Sequence, residues 1–251
     1  IGPVDLMAKD VEQLKAEAGI AAAAFVKEGM KVGLGTGSTV KYTVIELGRR
    51  VSEGLNIVGV PTSIATRDLA LEVGITLIEL SEVEGLDIVI DGADEFDPDF
   101  QLIKGGGGAL LREKIVAQAS NAMVVVADER KQVQTLGAFS IPIEVTPFSW
   151  QETRRQIEKI LDCQVILRSG GIETLGDVNI EGGAFATDNG NLILDAQCGA
   201  TINNPVATEK TLQGLAGVCE VGLFNNICDM VILAGNDGIK TLTKPDGRLS
   251  S

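Results

Sequence analysis

A chain of 251 residues with 45% hydrophobic and 22% charged residues is long enough to bury a sizeable core, in one large domain or two smaller ones. Its formal net charge of −14 argues against nucleic acid, which needs a clustered Lys/Arg face. Histidine is absent, which removes the commonest general base, every His-containing triad and the usual zinc ligand set.

Taken in chain order, the pattern is α/β. The alanine-rich stretch from Val11 to Val26 reads as a helix stopped by Glu28-Gly29, and Lys31–Leu34 as a short strand entering Gly35-Thr36-Gly37-Ser38-Thr39. A helix from Val40 to Val51, a strand over Asn56–Val60, a helix over Ala65–Val73 and strands over Thr76–Leu80 and Asp87–Ile90 follow. Ala109–Ala119 is a helix and Ala122–Ala127 a buried strand. Strands alternating with helices predict a doubly wound, mostly parallel (Rossmann-like) sheet. Near Pro142 the pattern changes. Strand Ile143–Val145, an amphipathic helix Trp150–Leu161, strands Cys163–Arg168, Ala184–Thr187 and Leu192–Ala196, helix Pro205–Leu215 and strand Cys219–Leu223 give a βαββαβ-like order. Asp188-Asn189-Gly190-Asn191 is a hairpin turn. Asp229–Ala234 is an apolar strand that returns to the first sheet. The expected organisation is therefore a Rossmann-like domain from residues 1–137 and 225–251, with a smaller α+β (ferredoxin-like) domain, 138–224, inserted in it.

No apolar run reaches the roughly 20 residues of a membrane span, and no secretory pattern opens the chain, so a cytoplasmic protein is expected. The first methionine is Met7, and residues 1–6 ahead of it read as a cloning remnant rather than native sequence. Cys163, Cys198, Cys219 and Cys228 show no CxxC spacing and read as reduced, small apolar residues.

Two loops carry the chemistry. Gly33-x-Gly35 begins like a dinucleotide fingerprint, but its third glycine position is Ser38 and no acidic residue closes the next strand. A P-loop would need Gly-Lys at positions 38 and 39, so that signature fails too. What remains is a Gly/Thr/Ser loop at a helix N-terminus, either a site for one phosphate through amides and hydroxyls or a plain turn with Thr39 as N-cap. The second loop is richer. The apolar strand Ile88-Val89-Ile90 delivers Asp91-Gly92-Ala93-Asp94, followed by Lys104-Gly105-Gly106-Gly107-Gly108 and a helix bearing Glu113. Ligands of open α/β sheets bind beyond the carboxyl ends of the strands. Acid, base, cation and bare amides are thus presented to one crevice, a pattern suited to proton transfer on a small anionic substrate. Helical geometry sets Glu113 beside Val116 and Ala117, where its pKa would rise; the competing reading pairs a solvated Glu113 with Arg112 or Lys114.

Thr36-Gly37-Ser38-Thr39, Asp91-Gly92-Ala93-Asp94-Glu95, Lys104-Gly105-Gly106-Gly107 and Arg112-Glu113-Lys114 together resemble the type A ribose-5-phosphate isomerase family. The resemblance continues through Pro61-Thr62-Ser63, Ala127-Asp128, Thr187-Asp188-Asn189-Gly190-Asn191 and Gly222-Leu223-Phe224. It implies interconversion of D-ribose 5-phosphate and D-ribulose 5-phosphate, in the non-oxidative branch of the pentose phosphate pathway, without metal or organic cofactor. By position, Glu113 is implied as the base that moves a proton between C1 and C2 through an enediolate. Asp91 is implied as the acid/base for the sugar oxygens, with Asp94 beside it. Lys104 and the amides of Gly105, Gly106 and Gly107 would stabilise the oxyanion. Gly92 and Ala93 would contact the substrate, Thr36, Gly37, Ser38 and Thr39 would hold the phosphate or nearby hydroxyls, Lys15 would lie near the phosphate, and Lys131 would make a further ligand contact. The family pattern around Lys131 is usually Ala-Asp-x-Ser-Lys, and this chain has Arg130 in place of the serine. A homodimer or homotetramer is implied, with a small-molecule sugar phosphate as ligand and no nucleic acid or membrane partner. Three alternatives stay open: an isomerase or deaminase acting on another sugar phosphate, a non-catalytic sugar-phosphate sensor, and a nucleotide-dependent oxidoreductase. Deaminases of that kind use a histidine, which is absent; a sensor has little need of Glu113, Asp91 and Lys104 together; and the failed fingerprints disfavour the oxidoreductase.

Overall fold

The structure, a computed structural model, describes residues 8–250; Met7 and the residues ahead of it lie outside the described residues. The chain opens with α1 (Val11–Ala23), β1 (Lys31–Leu34), α2 (Val40–Ser52), β2 (Val58–Pro61), α3 (Ile64–Glu72), β3 (Thr76–Leu77) and β4 (Ile88–Gly92). Two short strands, β5 (Glu95–Phe96) and β6 (Leu102–Ile103), precede α4 (Leu110–Gln118) and β7 (Met123–Asp128). Then come β8 (Ile141–Val145), α5 (Trp150–Leu161), β9 (Gln164–Leu167), β10 (Ile172–Leu175), β11 (Val178–Ala184), β12 (Leu192–Gln197), α6 (Pro205–Gln213) and β13 (Val218–Val221). The chain returns through β14 (Leu223–Phe224) to β15 (Met230–Gly235) and β16 (Gly238–Thr243).

The main sheet has seven strands in the order β16-β15-β7-β4-β1-β2-β3, all parallel except β16, which pairs antiparallel with β15. Alternation along its strands builds two cores. Ile88, Ile90, Val124 and Val126 face α1, α2 and α3 together with Leu14, Ala18, Val44 and Leu47. Val89, Met123, Val125 and Ala127 face the other way, against Leu110, Val116 and Ala117 of α4. That side is completed by a small antiparallel sheet of β14, β6 and β5, which contributes Phe96, Leu102 and Phe224 to the same core. Capping residues start three helices: Asp10 accepts from the Gln13 amide (2.7 Å), Ser63 from Thr66 (3.0 Å) and Asn204 from Ala207 (3.1 Å).

The smaller unit is a four-stranded antiparallel sheet ordered β13-β8-β12-β9, with α5 and α6 as crossovers, which is the ferredoxin-like βαββαβ arrangement. Its own core gathers Ile143, Val145, Trp150, Ile157, Leu192, Leu194 and Leu212. Several expected boundaries move. α1 ends at Ala23 rather than Val26, and the Arg50 guanidinium takes up the carbonyls of Ala23 and Val26 just beyond it. β3 is cut to Thr76–Leu77 and passes into a 3₁₀ turn at Leu80–Glu82. The expected strand Ala184–Thr187 does not form: β11 ends at Ala184 and Phe185 to Thr187 run without strand pairing into the turn, while the β10–β11 hairpin went unseen because most of its residues are exposed and carry no burial alternation. The cysteines are free; Cys163 and Cys198 face each other at the ends of β9 and β12. Among the described residues no helix is long and apolar enough to cross a membrane.

Candidate active site

The order of the main sheet reverses at β1. Strands β2 and β3 are laid down on one side of it and β4, β7 and β15 on the other, so a crevice opens beyond the carboxyl ends of β1 and β4. Both expected loops leave from those ends. They meet closely: the Gly35 amide donates to the Ile90 carbonyl (2.9 Å), and the Thr36 amide to Asp91 Oδ1 (3.1 Å). A Cβ at Gly35 would lie 2.3 Å from Asp91 Oδ1, so only glycine lets the strands end side by side.

Asp91 is fully buried, and Lys104 and Glu113 nearly so. Lys104 Nζ lies 2.6 Å from Glu113 Oε2 and 3.2 Å from Asp91 Oδ2, and it also donates to the Gly92 carbonyl. Asp91 Oδ1 is spent on the amides of Thr36 and Gly92 (2.7 Å to the latter). Oδ2 of Asp91 and Oε2 of Glu113 have no aligned hydrogen bond, so each meets Lys104 as an ion rather than as a well-directed acceptor. Burial disfavours the Lys104 ammonium, but Asp91 and Glu113 outweigh it and hold the group above the ordinary lysine range. Burial and the neighbouring Asp91 carboxylate push the Glu113 carboxyl up to about 8, against the pull of Lys104. One cation thus balances one anion, and Glu113 is left able to take or give a proton near neutrality.

Asp94 lies above this triad. Burial holds its carboxyl above the usual aspartate range, partly offset by the Gly106 amide, which donates to Asp94 Oδ2 (2.8 Å). The cavity over these groups has a volume of about 360 Å³ and is walled by Thr36, Gly37, Ser38, Thr39, Ala93, Asp94, Lys104, Gly105, Gly106, Gly107, Glu113, Lys131 and Phe139. A larger cavity of about 600 Å³ lies between α3 and α4, lined by groups such as Ile64, Leu71, Ile115 and Arg67; it has neither the lysine–carboxylate triad nor the glycine loops.

Most of the expected residues converge here, but four stand differently. Asp91 and Gly92 are not in the cavity wall; Asp91 is fully buried and Gly92 half-buried. Lys15, on α1, pairs with Glu12 (3.2 Å) and does not line the cavity. The Thr36 hydroxyl turns inward to those of Thr62 (2.7 Å), Ser63 (2.8 Å) and Thr66 (3.1 Å), a buried cluster that leaves it little capacity for a ligand. Thr39 makes no capping hydrogen bond, which removes the plain N-cap reading. The solvated reading of Glu113 fails as well, since Arg112 and Lys114 are engaged elsewhere. Arg130, which stands where the family pattern has serine, turns to Asp128 in a two-point contact (2.7 and 3.0 Å); although burial opposes it, Arg130 holds the Asp128 carboxyl below the ordinary range.

Residue reading missed two supports. Arg168 of the small domain is held by Asp195 (2.7 and 2.9 Å) and donates to the carbonyls of Gly105 (3.1 Å) and Gly106 (3.0 Å), fixing the glycine loop from behind. Glu95 is buried and accepts the amides of Gly137 (2.9 Å) and Phe139 (3.0 Å), which places the Phe139 ring in the cavity wall. Only Glu95, inside the Asp-Gly-Ala-Asp-Glu run, carried any local signal.

An α/β fold with a switch-point crevice, a buried acid–base triad and a glycine- and hydroxyl-lined anion loop defines a protein built for proton transfer on a small anionic ligand. The ribose 5-phosphate isomerase A (phosphoriboisomerase A) family model matches residues 58–238. The ribose-5-phosphate isomerase A of Bradyrhizobium diazoefficiens is 47% identical over 240 residues, covering 95% of this chain and 99% of that protein. That of Bacillus mycoides is 49% identical over 227 residues, covering 90% and 98%. The solved structure of ribose 5-phosphate isomerase A from Methanocaldococcus jannaschii superposes with a TM-score of 0.85 at 38% identity, covering 94% of this chain and all of that one. A D-ribose-5-phosphate isomerase in complex with phospho-erythronic acid gives 0.87 at 38% identity, with the same coverage. The chain belongs to the ribose 5-phosphate isomerase A family.

Proposed function

We propose that this protein interconverts D-ribose 5-phosphate and D-ribulose 5-phosphate, the activity that names its relatives, with Glu113 as the base. The observation that carries the reading is the 2.6 Å contact between Lys104 and a buried Glu113 whose carboxyl titrates at about 8. Aldose–ketose isomerisation needs a base for the C2 proton, a cation or amides for the developing oxyanion, and an anchor for the phosphate. Ionised Glu113 removes the proton from C2 of the open-chain aldose. The electrons pass to the carbonyl oxygen, giving an enediolate, and the same carboxyl returns the proton to C1. Lys104 and the amides of Gly105 and Gly107 stabilise the negative charge on oxygen, the Gly106 amide being held by Asp94. Asp94 lines the cavity with a carboxyl raised by burial and suits taking the proton from the C2 hydroxyl and delivering one to the C1 oxygen, the transfer that turns the enediolate into the ketose. Sealed Asp91 serves from beneath: its charge keeps Lys104 cationic and lifts Glu113. The phosphate lies toward Ser38, Thr39 and Lys131, at the N-terminus of α2.

The glycine-rich cradle and the ammonium need no metal in this scheme. Family membership leads us to expect a homodimer or homotetramer. The test is conversion of ribose 5-phosphate to ribulose 5-phosphate by purified protein in the presence of EDTA, beside Glu113→Gln. Turnover by the parent and its loss in the variant support the assignment. Binding of ribose 5-phosphate without turnover would overturn it in favour of a sensor.

A further inference from the structure

Glu113 is the middle one of three consecutive charged residues on α4, and the scheme above uses only that one. Successive helical residues are turned by about 100°, so Arg112, Glu113 and Lys114 leave the helix in three directions. Lys114 is buried, and its ammonium donates to Glu220 Oε1 (2.6 Å) and to the carbonyls of Val221 (2.8 Å) and Leu223 (3.0 Å). Arg112 reaches the turn that precedes β12: its Nε donates to Asn189 Oδ1 (2.8 Å) and its Nη2 to the Asp188 carbonyl (3.1 Å). Most of these partners belong to the small domain, so it grips the helix on two sides of Glu113.

The turn that Arg112 grasps is itself braced. Glu144 on β8 is fully buried, and its Oε1 accepts from the Thr187 hydroxyl (2.7 Å) and from the side-chain amides of Asn189 and Asn191 (3.1 Å each). The Thr187 oxygen in turn accepts the backbone amides of Asn189 (3.2 Å) and Asn191 (3.1 Å). Asp188 Oδ2 accepts the amide of Ile64, the first residue of α3 (2.8 Å). Asn-Gly alone closes a hairpin. A buried carboxylate costs desolvation, and spending one on a turn that would close without it points to a need for a fixed position. The same domain also sets the Phe185 ring against Gly108, just ahead of α4, where even a Cβ would come within 2.4 Å of the ring.

We infer that Asn189 and Arg112 are positioning residues, and that the turn Thr187–Asn191, braced by Glu144, fixes the rotation of α4 so that Glu113 stays against Lys104 and Asp91. The inference rests on the isomerase reading for its kinetic arm only. The experiment is a double-mutant cycle of Arg112→Ala, Asn189→Ala and the pair, read by kcat, KM and a ¹³C-NMR titration of the Glu113 carboxyl in the folded protein. Neither residue is in the apolar core, so the variants fold; thermal unfolding is recorded beside each. Each single variant lowers kcat about tenfold while KM stays within about twofold, as expected when a reacting group is displaced by less than about 1 Å. The pair is no slower than either single variant, because both cut the same link. The Glu113 midpoint falls from about 8 as the carboxyl gains water and leaves Asp91, with Lys104 and Asp94 the other charges facing it. An unchanged midpoint and kcat with a lowered unfolding temperature would show the turn to be merely structural and overturn the inference. A hundredfold loss in the pair would do the same, by showing two independent effects. Should the parent prove inactive, the isomerase reading fails, and the titration still decides whether Asn189 and Arg112 position Glu113.

Discussion

Replacing Glu113 by Gln separates chemistry from stability, and the two should move in opposite directions. The amide has the shape of the protonated carboxyl but cannot ionise. Positioned acid–base groups contribute about 10²–10⁴ in rate, so turnover should fall by about 10² or more, with ligand binding retained. Stability is governed by the carboxyl's titration. The folded value of about 8 lies above the ordinary 4.5, so between them the native state holds a proton that the unfolded chain has released. The stability owed to this group is therefore complete below about pH 4.5 and is lost as pH rises through about 8. At about 1.4 kcal/mol per pH unit, the full loss is about 5 kcal/mol. The Gln variant has no such slope. Urea unfolding of both proteins between about pH 4.5 and about pH 8 should show near-equal stability at the acid end and a growing advantage for the variant toward the alkaline end. Parallel curves across that range would refute the claim that Glu113 is buried as a proton-holding carboxyl. An active variant would refute its role as base.

The same logic makes activity rise with pH: a base with a value of about 8 is mostly protonated at neutrality, so kcat/KM should climb between about pH 7 and pH 9. Asp91→Asn removes the like charge that lifts Glu113, so the acidic limb of the pH–rate profile should move to lower pH; a move upward would refute the account of the triad. Thr39→Ala should raise KM about tenfold with little change in kcat. Thr36→Val should instead cost about 1–2 kcal/mol of stability, through the lost hydroxyl cluster, and leave KM nearly unchanged. Steady-state kinetics beside thermal unfolding distinguish these two threonines, and the reverse pattern would exchange their roles. Gly35→Ala places a methyl 2.3 Å from Asp91 Oδ1 and should lower kcat about 10² while the protein remains folded; wild-type kcat would refute the claim that the ends of β1 and β4 must touch.

The parts of the site that could be read from the chain are those whose chemistry is local. A strand ending in Asp91, a lysine before four glycines and a carboxylate three residues from Val116 each carry their meaning within a few residues, and the sheet order then brings them together. The ferredoxin-like order was likewise carried by alternation and by the Pro205 and Asn189-Gly190 signals. What escaped has a different cause. Strand β16 is an exposed edge, where alternation carries no burial signal, and β5, β6 and β14 are two residues each, too short for any period. Arg168 acts on loop carbonyls more than sixty residues away, and Glu95 on amides over forty residues away, so no window of sequence contains both partners. Thr36 shows the opposite failure, since its place in a phosphate-like loop is plain while the three hydroxyls that claim it come from the next strand end and helix. The resemblance implies Asp91 as the acid/base for the sugar oxygens, and the close approach that Gly35 permits buries it fully. A residue type and a position can name the machinery of such a site. In the proposed scheme the packing of β1 against β4 decides which carboxyl faces the sugar and which sets the charge of its neighbours, and the Asp91→Asn profile tests that division.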